Sequence, residues 1–304
     1  MKQIDSFNIP ILFLVFNRLD TTIKVFNSIR NLEPGKLFVA CDGPRYGIKA
    51  DVENVQKVKD FINKAIDWQC DIKLLYRQKN LGCKLAVSSA IDWFFENVEM
   101  GIILEDDCLP HSSFFPYCKE LLIKYKDEEK IMQISGFNAL NKLKISDSYY
   151  FSKFGPIWGW ATWKRAWKHY DVELKQWPYV KDNKLYNMFC DSLLEKRWRI
   201  NLFDRIYHNE IDTWDYQWSF AKLLKNGLSI IPSKSLIANI GFDNSATHTT
   251  SSSPHSGIDT YSELVFPLKH PSQIERKKYL DKKYFRKFVL GNKVKNLVYK
   301  IAHI

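Results

Sequence analysis

Cysteine is scarce in this chain. There are six in 304 residues (Cys41, Cys70, Cys83, Cys108, Cys118 and Cys190), and no two form a C-x-x-C pair. That argues against a disulfide framework or a zinc cluster and favours a reducing compartment. Long apolar runs are missing too. None reaches the ~18 residues of a membrane-spanning helix, and Ile11 to Phe16 is too short for the core of a secretory signal. Neither a span nor a leader is therefore expected. No internal repeat is found. No glycine-rich basic loop follows the first apolar run, where Asn17-Arg18-Leu19-Asp20 stands instead. Net charge is nearly absent from most of the chain: the overall +11 divides into +2 for residues 1–275 and +9 for 276–304. This excludes a nucleic-acid-binding surface across the body of the protein.

What is present is a large apolar fraction, 45%, enough for one big domain or two fused ones. Aromatic residues are abundant, with 10 Trp, 15 Tyr and 20 Phe. They suit aromatic-lined pockets, and large cores use them as well.

Apolar runs alternate with helical periodicity through the first half. Strands are expected at Pro10 to Phe16, Leu37 to Cys41, Ile72 to Tyr76, Gly101 to Leu104 and Ile131 to Gly136. Helices are expected between them: one capped near Asp20-Thr21-Thr22, then Asp51 to Ala65, Gly82 to Phe95 and Phe114 to Tyr125. Such alternation implies a mostly parallel, doubly wound sheet. The second half is richer in Trp and less regular. Tyr149 to Phe151 reads as an edge strand, Asp182 to Tyr207 and Tyr216 to Asn226 as helical regions, and Ile230 to Pro232 and Leu236 to Ile240 as late strands. Gly241 to Ser256 reads as a long mobile loop.

One stretch stands out: Gly101-Ile102-Ile103-Leu104-Glu105-Asp106-Asp107. A buried strand runs straight into three acids. In open α/β sheets ligands collect beyond the carboxyl ends of strands. Adjacent carboxylates repel by roughly 1–4 kcal/mol at ~4 Å, and a divalent cation reverses that sign. Mg²⁺ or Mn²⁺, held by one or two carboxylates and substrate phosphates, suits such a site. A second acidic triplet, Asp127-Glu128-Glu129, serves as a control, since it follows a helix end among other charges and reads as a solvated face.

Other candidates each carry two readings. Asp42 closes the second strand. It could accept the imino N–H of uracil, thymine or guanine, or cap the turn before Gly43-Pro44. Arg18 is a diphosphate clamp or a surface arginine. Lys84 reaches a phosphate at a helix start or is solvated. Trp158 and Trp160 form a sugar platform or a core corner. Trp214-Asp215 places a carboxylate at a helix start. Asp215 is a general base, or Asp215 or Thr213 is an N-cap. His248 is a further metal ligand or phosphate donor, or neither.

Taken in order, several of these stretches resemble those of the GT-A-fold nucleotide-sugar transferases, specifically the β-1,2-N-acetylglucosaminyltransferase I group. They are Ile9-Pro10-Ile11 through Asn17-Arg18, Cys41-Asp42, Cys83-Lys84, Leu104 to Asp107 with Phe114-Phe115, Ser135 to Asn138, Gly155-Pro156 to Gly159-Trp160, and Trp214-Asp215. The resemblance spans roughly residues 9 to 250. It implies Arg18 and Lys84 near the nucleotide and diphosphate, Asp42 on the uracil, and Glu105 and Asp106 on sugar or ribose. Asp107 would be on Mn²⁺ and Asp215 would be the base, with Trp214 beside it on the donor. The loop from Gly241 would fold over the donor.

The resulting expectation is a GT-A (Rossmann-like) α/β fold. Residues 1–140 would form the nucleotide-sugar half and 141–270 the acceptor half, with 271–304 a basic amphipathic tail. The function implied is inverting, metal-dependent transfer of a sugar, with N-acetylglucosamine a candidate, from a UDP-sugar to a glycan. The tail places lysines among Phe285, Val289, Val294 and Leu297, as basic amphipathic segments on anionic membranes do. A cytoplasmic protein peripheral at the inner membrane face, meeting a lipid-linked acceptor, is expected. A non-catalytic membrane- or polyanion-binding protein and a sugar nucleotidyltransferase are the alternatives.

Overall fold

Strand β1 (Ile11–Val15) is buried at every position, and its pleat explains why the run is continuously apolar. Ile11, Phe13 and Val15 join one core layer, while Leu12 and Leu14 join the opposite one. A strand covered on both faces needs apolar side chains at both parities. Each such side chain, fully buried, stabilises by roughly 1.5–3 kcal/mol. These features come from a computed structural model that describes residues 7–141, 143–241 and 263–290.

The chain continues through α1 (Leu19–Arg30), β2 (Lys36–Cys41), α2 (Lys49–Ala65), β3 (Asp71–Tyr76), α3 (Gly82–Asn97), β4 (Met100–Glu105), β5 (Cys108–Pro110), α4 (Phe114–Lys124) and β6 (Ile131–Ser135). Then come β7 (Tyr149–Ser152), β8 (Trp160–Trp163), α5 (Lys164–Trp167), α6 (Trp177–Asp182), α7 (Leu193–Tyr207), α8 (Asp215–Leu224), β9 (Leu228–Pro232), β10 (Ile237–Asn239) and α9 (Lys278–Tyr284). The main sheet runs β3-β2-β1-β4-β8-β6-β9-β7. It is mostly parallel, with β8 and β7 antiparallel to their neighbours. Helices α1, α2 and α4 contribute to one core layer; α3 and α8 contribute to the other. The expected mostly parallel α/β sheet flanked by helices is thus the observed architecture. Because β6 and β8 lie side by side, the sheet is continuous across residue 140.

Two local expectations, for the start of α1 and for Asp182 to Tyr207, need correction, and two strands have placements the sequence left open. Helix α1 starts at Leu19, and Thr21 and Thr22 do not cap it. Their hydroxyls donate back to the Arg18 carbonyl, at 3.3 and 2.6 Å. The region from Asp182 to Tyr207 is not one helix. Lys184 takes a left-handed φ of 54°, a 3-10 turn follows over Leu185–Met188, and Ser192 opens α7 by accepting from the Glu195 N–H at 3.2 Å. Ser192 three residues before Glu195 is the sequence signature of such a start. The Pro/Gly stretch before Trp160 hid β8, a four-residue strand inserted between β4 and β6 and too short to show a period. The strand near Leu236 to Ile240 leaves the main sheet: β10 pairs with β5 in a separate ribbon.

The start of the basic tail is built into the fold. Arg276 pairs with Asp191 and Asp281, and Asp281 accepts from the Ser152 hydroxyl on β7. Lys153 reaches Asp191 at 2.9 Å and Glu195 at 2.5 Å, and Glu195 also holds Arg199. Arg276 is therefore a structural cation, not one offered to a membrane. Residues 291–304 and the stretch 242–262 lie outside the described residues. All six cysteines are free. Among the described residues no helix is long and apolar enough to cross a membrane.

Candidate active site

Strands β1, β2 and β4 are parallel neighbours, so their carboxyl ends open on one edge of the sheet. Arg18 follows β1, Asp42 follows β2, and Glu105 ends β4 with Asp106 and Asp107 after it. Asp215 comes from the first turn of α8. All six line one cleft of about 480 Å³, with Trp158 and Trp214. The cleft carries six carboxylates (Asp42, Glu105, Asp106, Asp107, Asp212 and Asp215) against three guanidiniums (Arg18, Arg45 and Arg77).

The acidic triplet is not a solvated face. Asp106 is 4% and Asp107 8% exposed. Arg18 pairs with Asp106 and reaches Asp107 Oδ2 at 3.1 Å. Burial works against the charge on Arg18, but Asp106 and Asp107 outweigh it and push its pKa up. Burial, then the charges of Asp107 and Asp106, hold the Glu105 carboxyl well above the usual carboxylate range. Burial does the same to Asp106, partly offset by Arg18. Glu105 Oε1 and Asp106 Oδ2 are buried without a hydrogen-bond partner among the described residues. Gly241 packs over this corner, where a Cβ would come within 2.5 Å of Asp107 Oδ2 and 2.7 Å of Arg18 Nη1. By contrast, the Asp127 side chain in the control triplet is 88% exposed.

Asp215 is not an N-cap. It already lies inside α8, and Thr213 donates its hydroxyl to Asp215 Oδ1. Trp214, 2% exposed, stacks on Trp160 with centroids 5.8 Å apart and so fixes the start of α8 against β8. Trp160 itself is fully buried. It has no free face for a sugar, so only its core reading survives. Trp158 keeps an accessible face on the cleft and packs against Phe137 at 4.6 Å.

Two expected phosphate contacts are placed elsewhere. Lys84 does not line this cleft; its ammonium donates to Asn209 Oδ1 at 2.7 Å on a neighbouring surface. The free amides at the start of α3 are capped by acids: Leu81 N–H donates to Asp42 and Lys84 N–H to Asp212. A helix start already holding carboxylates is a poor anion site. Asp42 also accepts from Gly43 N–H and Asn80 Nδ2, each at 2.9 Å, so it acts as the clasp of its turn. His248 lies outside the described residues. Sequence reasoning passed over Arg77 and Asn80, although they follow β3 and obey the same strand-end rule. Nothing in the sequence marks Asp212 or Asn239, which only folding brings to the cleft.

An all-oxygen donor set suits Mg²⁺ or Mn²⁺. The unpartnered oxygens of Glu105 and Asp106 and the cradle at Gly241 fit such an ion. Among the described residues no three His, Cys, Asp or Glu side chains converge closely enough to hold one unaided.

No model of a known protein family matches the chain, and no curated protein matches it. Solved structures do show similarity. A mannosyltransferase from Pyrobaculum calidifontis in complex with GDP-Man and Mn²⁺ is 11% identical over 50% of this chain and 44% of that one, with a TM-score of 0.35. TarS of S. aureus (residues 1–349) is 11% identical over 76% and 59%, with a TM-score of 0.41. A UDP-glucose pyrophosphorylase is 11% identical over 74% and 90%, with a TM-score of 0.37. The chain spans less than two thirds of the length of the first two.

Proposed function

We propose that this protein is an inverting, divalent-cation-dependent glycosyltransferase of GT-A type, related to the N-acetylglucosaminyltransferase I group and using a UDP-sugar. The observation that carries this is the single cleft joining the Glu105-Asp106-Asp107 corner, with Asp106 and Asp107 buried, to Asp215. A cleft with twice as many carboxylates as guanidiniums repels a diphosphate unless a cation intervenes. Asp107, with Glu105 or Asp106, would hold Mn²⁺ or Mg²⁺, the remaining ligands being phosphate oxygens. That ion supplies charge stabilisation to a departing diphosphate.

The chain's own groups do the rest. Asp215 takes the proton of the acceptor hydroxyl as that oxygen bonds to the anomeric carbon and the bond to the diphosphate oxygen breaks. Thr213, donating to Oδ1, fixes the direction of the Asp215 carboxylate. Trp158 offers an apolar face to a sugar and keeps water from it. A nucleotidyltransferase is disfavoured because only Phe16, Asn17 and Arg18 separate β1 from α1, too few for a phosphate-wrapping loop.

A screen of nucleotide sugars, reading released nucleoside diphosphate, tests this. Slow hydrolysis of a UDP-sugar is expected with Mn²⁺ and none with EDTA. No turnover of any nucleotide sugar removes the reading and favours a plain binding protein, whereas release that ignores EDTA removes its divalent-cation requirement.

The acceptor we infer is lipid-linked and reached from an anionic membrane face. Lys278, Lys282, Lys283, Arg286 and Lys287 recur at helical spacing on the exposed side of α9 and the turn after it. A basic residue near such a surface contributes about 1 kcal/mol. Truncation at 276 would also remove Arg276 and Asp281, so charge reversal is the cleaner test. Changing Lys282, Lys283 and Arg286 to Glu should cut co-sedimentation with anionic vesicles at least tenfold, about 1.4 kcal/mol; unchanged binding would clear this segment of the role.

A further inference from the structure

Asp42 is the expected reader of the nucleobase, yet three N–H groups already engage both of its oxygens. Oδ1 accepts from Gly43 N–H at 2.9 Å and Leu81 N–H at 3.1 Å. Oδ2 accepts from Asn80 Nδ2 at 2.9 Å and again from Leu81 N–H at 3.0 Å. The one Leu81 hydrogen is shared, so three hydrogens take up most of the roughly four acceptor positions of the carboxylate. The side chain that faces the cleft beside it is Asn80.

The orientation of the Asn80 amide follows from its partners. Nδ2 lies 2.9 Å from Asp42 Oδ2 and 2.8 Å from the Gly43 carbonyl. Both partners only accept, so the nitrogen must occupy that edge, and its two hydrogens are used. The carbonyl Oδ1 is left on the other edge, with no hydrogen bond among the described residues. Its position is rigid. At Gly43 a Cβ would sit 2.4 Å from the Lys79 carbonyl carbon, so only glycine lets the loop before α3 close on the end of β2. A pre-organised lone acceptor discriminates more sharply than a mobile one.

We propose that Asn80 Oδ1, not Asp42, is the specificity-determining acceptor for the base of the nucleotide. It accepts the N3–H of uracil. Cytosine, which presents a lone pair at that position, is rejected, and Asp42 is a positioning residue that holds the amide. This rests on the nucleoside-diphosphate reading given above.

Calorimetric titration of the full chain with UDP, CDP and N3-methyl-UDP, each with Mn²⁺, tests it. UDP should bind roughly tenfold or more tightly than either of the others, the scale expected when a donor is lost or an acceptor opposed. In Asn80→Ala the three affinities should fall within about twofold of one another. Asn80→Ser, which keeps a donor for Asp42, should show the same loss of ranking and guards against a misfolded loop; thermal melts confirm that each variant is folded. Equal affinities in the wild-type protein overturn the proposal. So does a ranking that survives in either folded variant, which would return the role to another acceptor. If no nucleoside diphosphate binds, the functional reading itself fails, and this inference with it.

Discussion

Replacing Asp215 by asparagine should reduce sugar transfer by a factor on the order of 10²–10⁴, the usual contribution of a general base. The change is nearly isosteric and removes only the proton-accepting charge. The carbonyl oxygen of the new amide can still accept the Thr213 hydroxyl, so the first turn of α8 keeps its geometry. The stability cost is small, since an acid in the first turn of a helix contributes about 0.3–1 kcal/mol through the helix dipole. Donor binding in the presence of Mn²⁺ should stay within a few fold of wild type, because Asp215 belongs to α8 and not to the acidic corner around Arg18. Single-turnover transfer and donor titration, measured on the same preparation, separate the two effects. Turnover within tenfold of wild type would take the base role away from Asp215.

The second large effect is expected at Asp107. In Asp107→Ala the donor should bind at least ~10–100-fold more weakly, since even outer-shell changes at metal sites cost that much. The residual binding should no longer respond to Mn²⁺ or EDTA. The reason lies in the charge arrangement of the corner. Arg18 is shared between Asp106 and Asp107, and Glu105 stands beside both with an unpartnered oxygen. Removing one carboxylate leaves Arg18 committed to Asp106 and deprives a cation of a ligand. Asp127→Ala is the matched control. It alters the other acidic triplet, whose side chain is solvated, and should change neither isotherm. A cation-dependent isotherm persisting in Asp107→Ala would count against the metal role.

Strand-end logic carried further than motif matching. The apolar parity of β1, β2 and β4 was readable because strands buried on both faces must be apolar at successive positions. The same reading put Arg18, Asp42 and Glu105 to Asp107 on one edge, where the structure places them. Lys84 misled because a lysine at a helix start looks like a phosphate contact until Asp42 and Asp212 are seen to occupy that start. Trp160 misled because nothing local separates an indole beside a glycine loop from one inserted into the sheet.

The order of residues by itself determined which segments could be buried strands, that three acids terminate one of them, and that basic charge gathers after residue 275. Those properties depend on neighbours along the chain, where periodicity and charge are directly written. Only the tertiary structure decided that Asp215 shares a cleft with Asp107, that Gly43, Asn80 and Leu81 engage Asp42 while Asn80 keeps one oxygen for the cleft, and that Arg276 is ion-paired to Asp191 and Asp281. Each depends on contacts between residues far apart in sequence, which packing sets and no local pattern encodes.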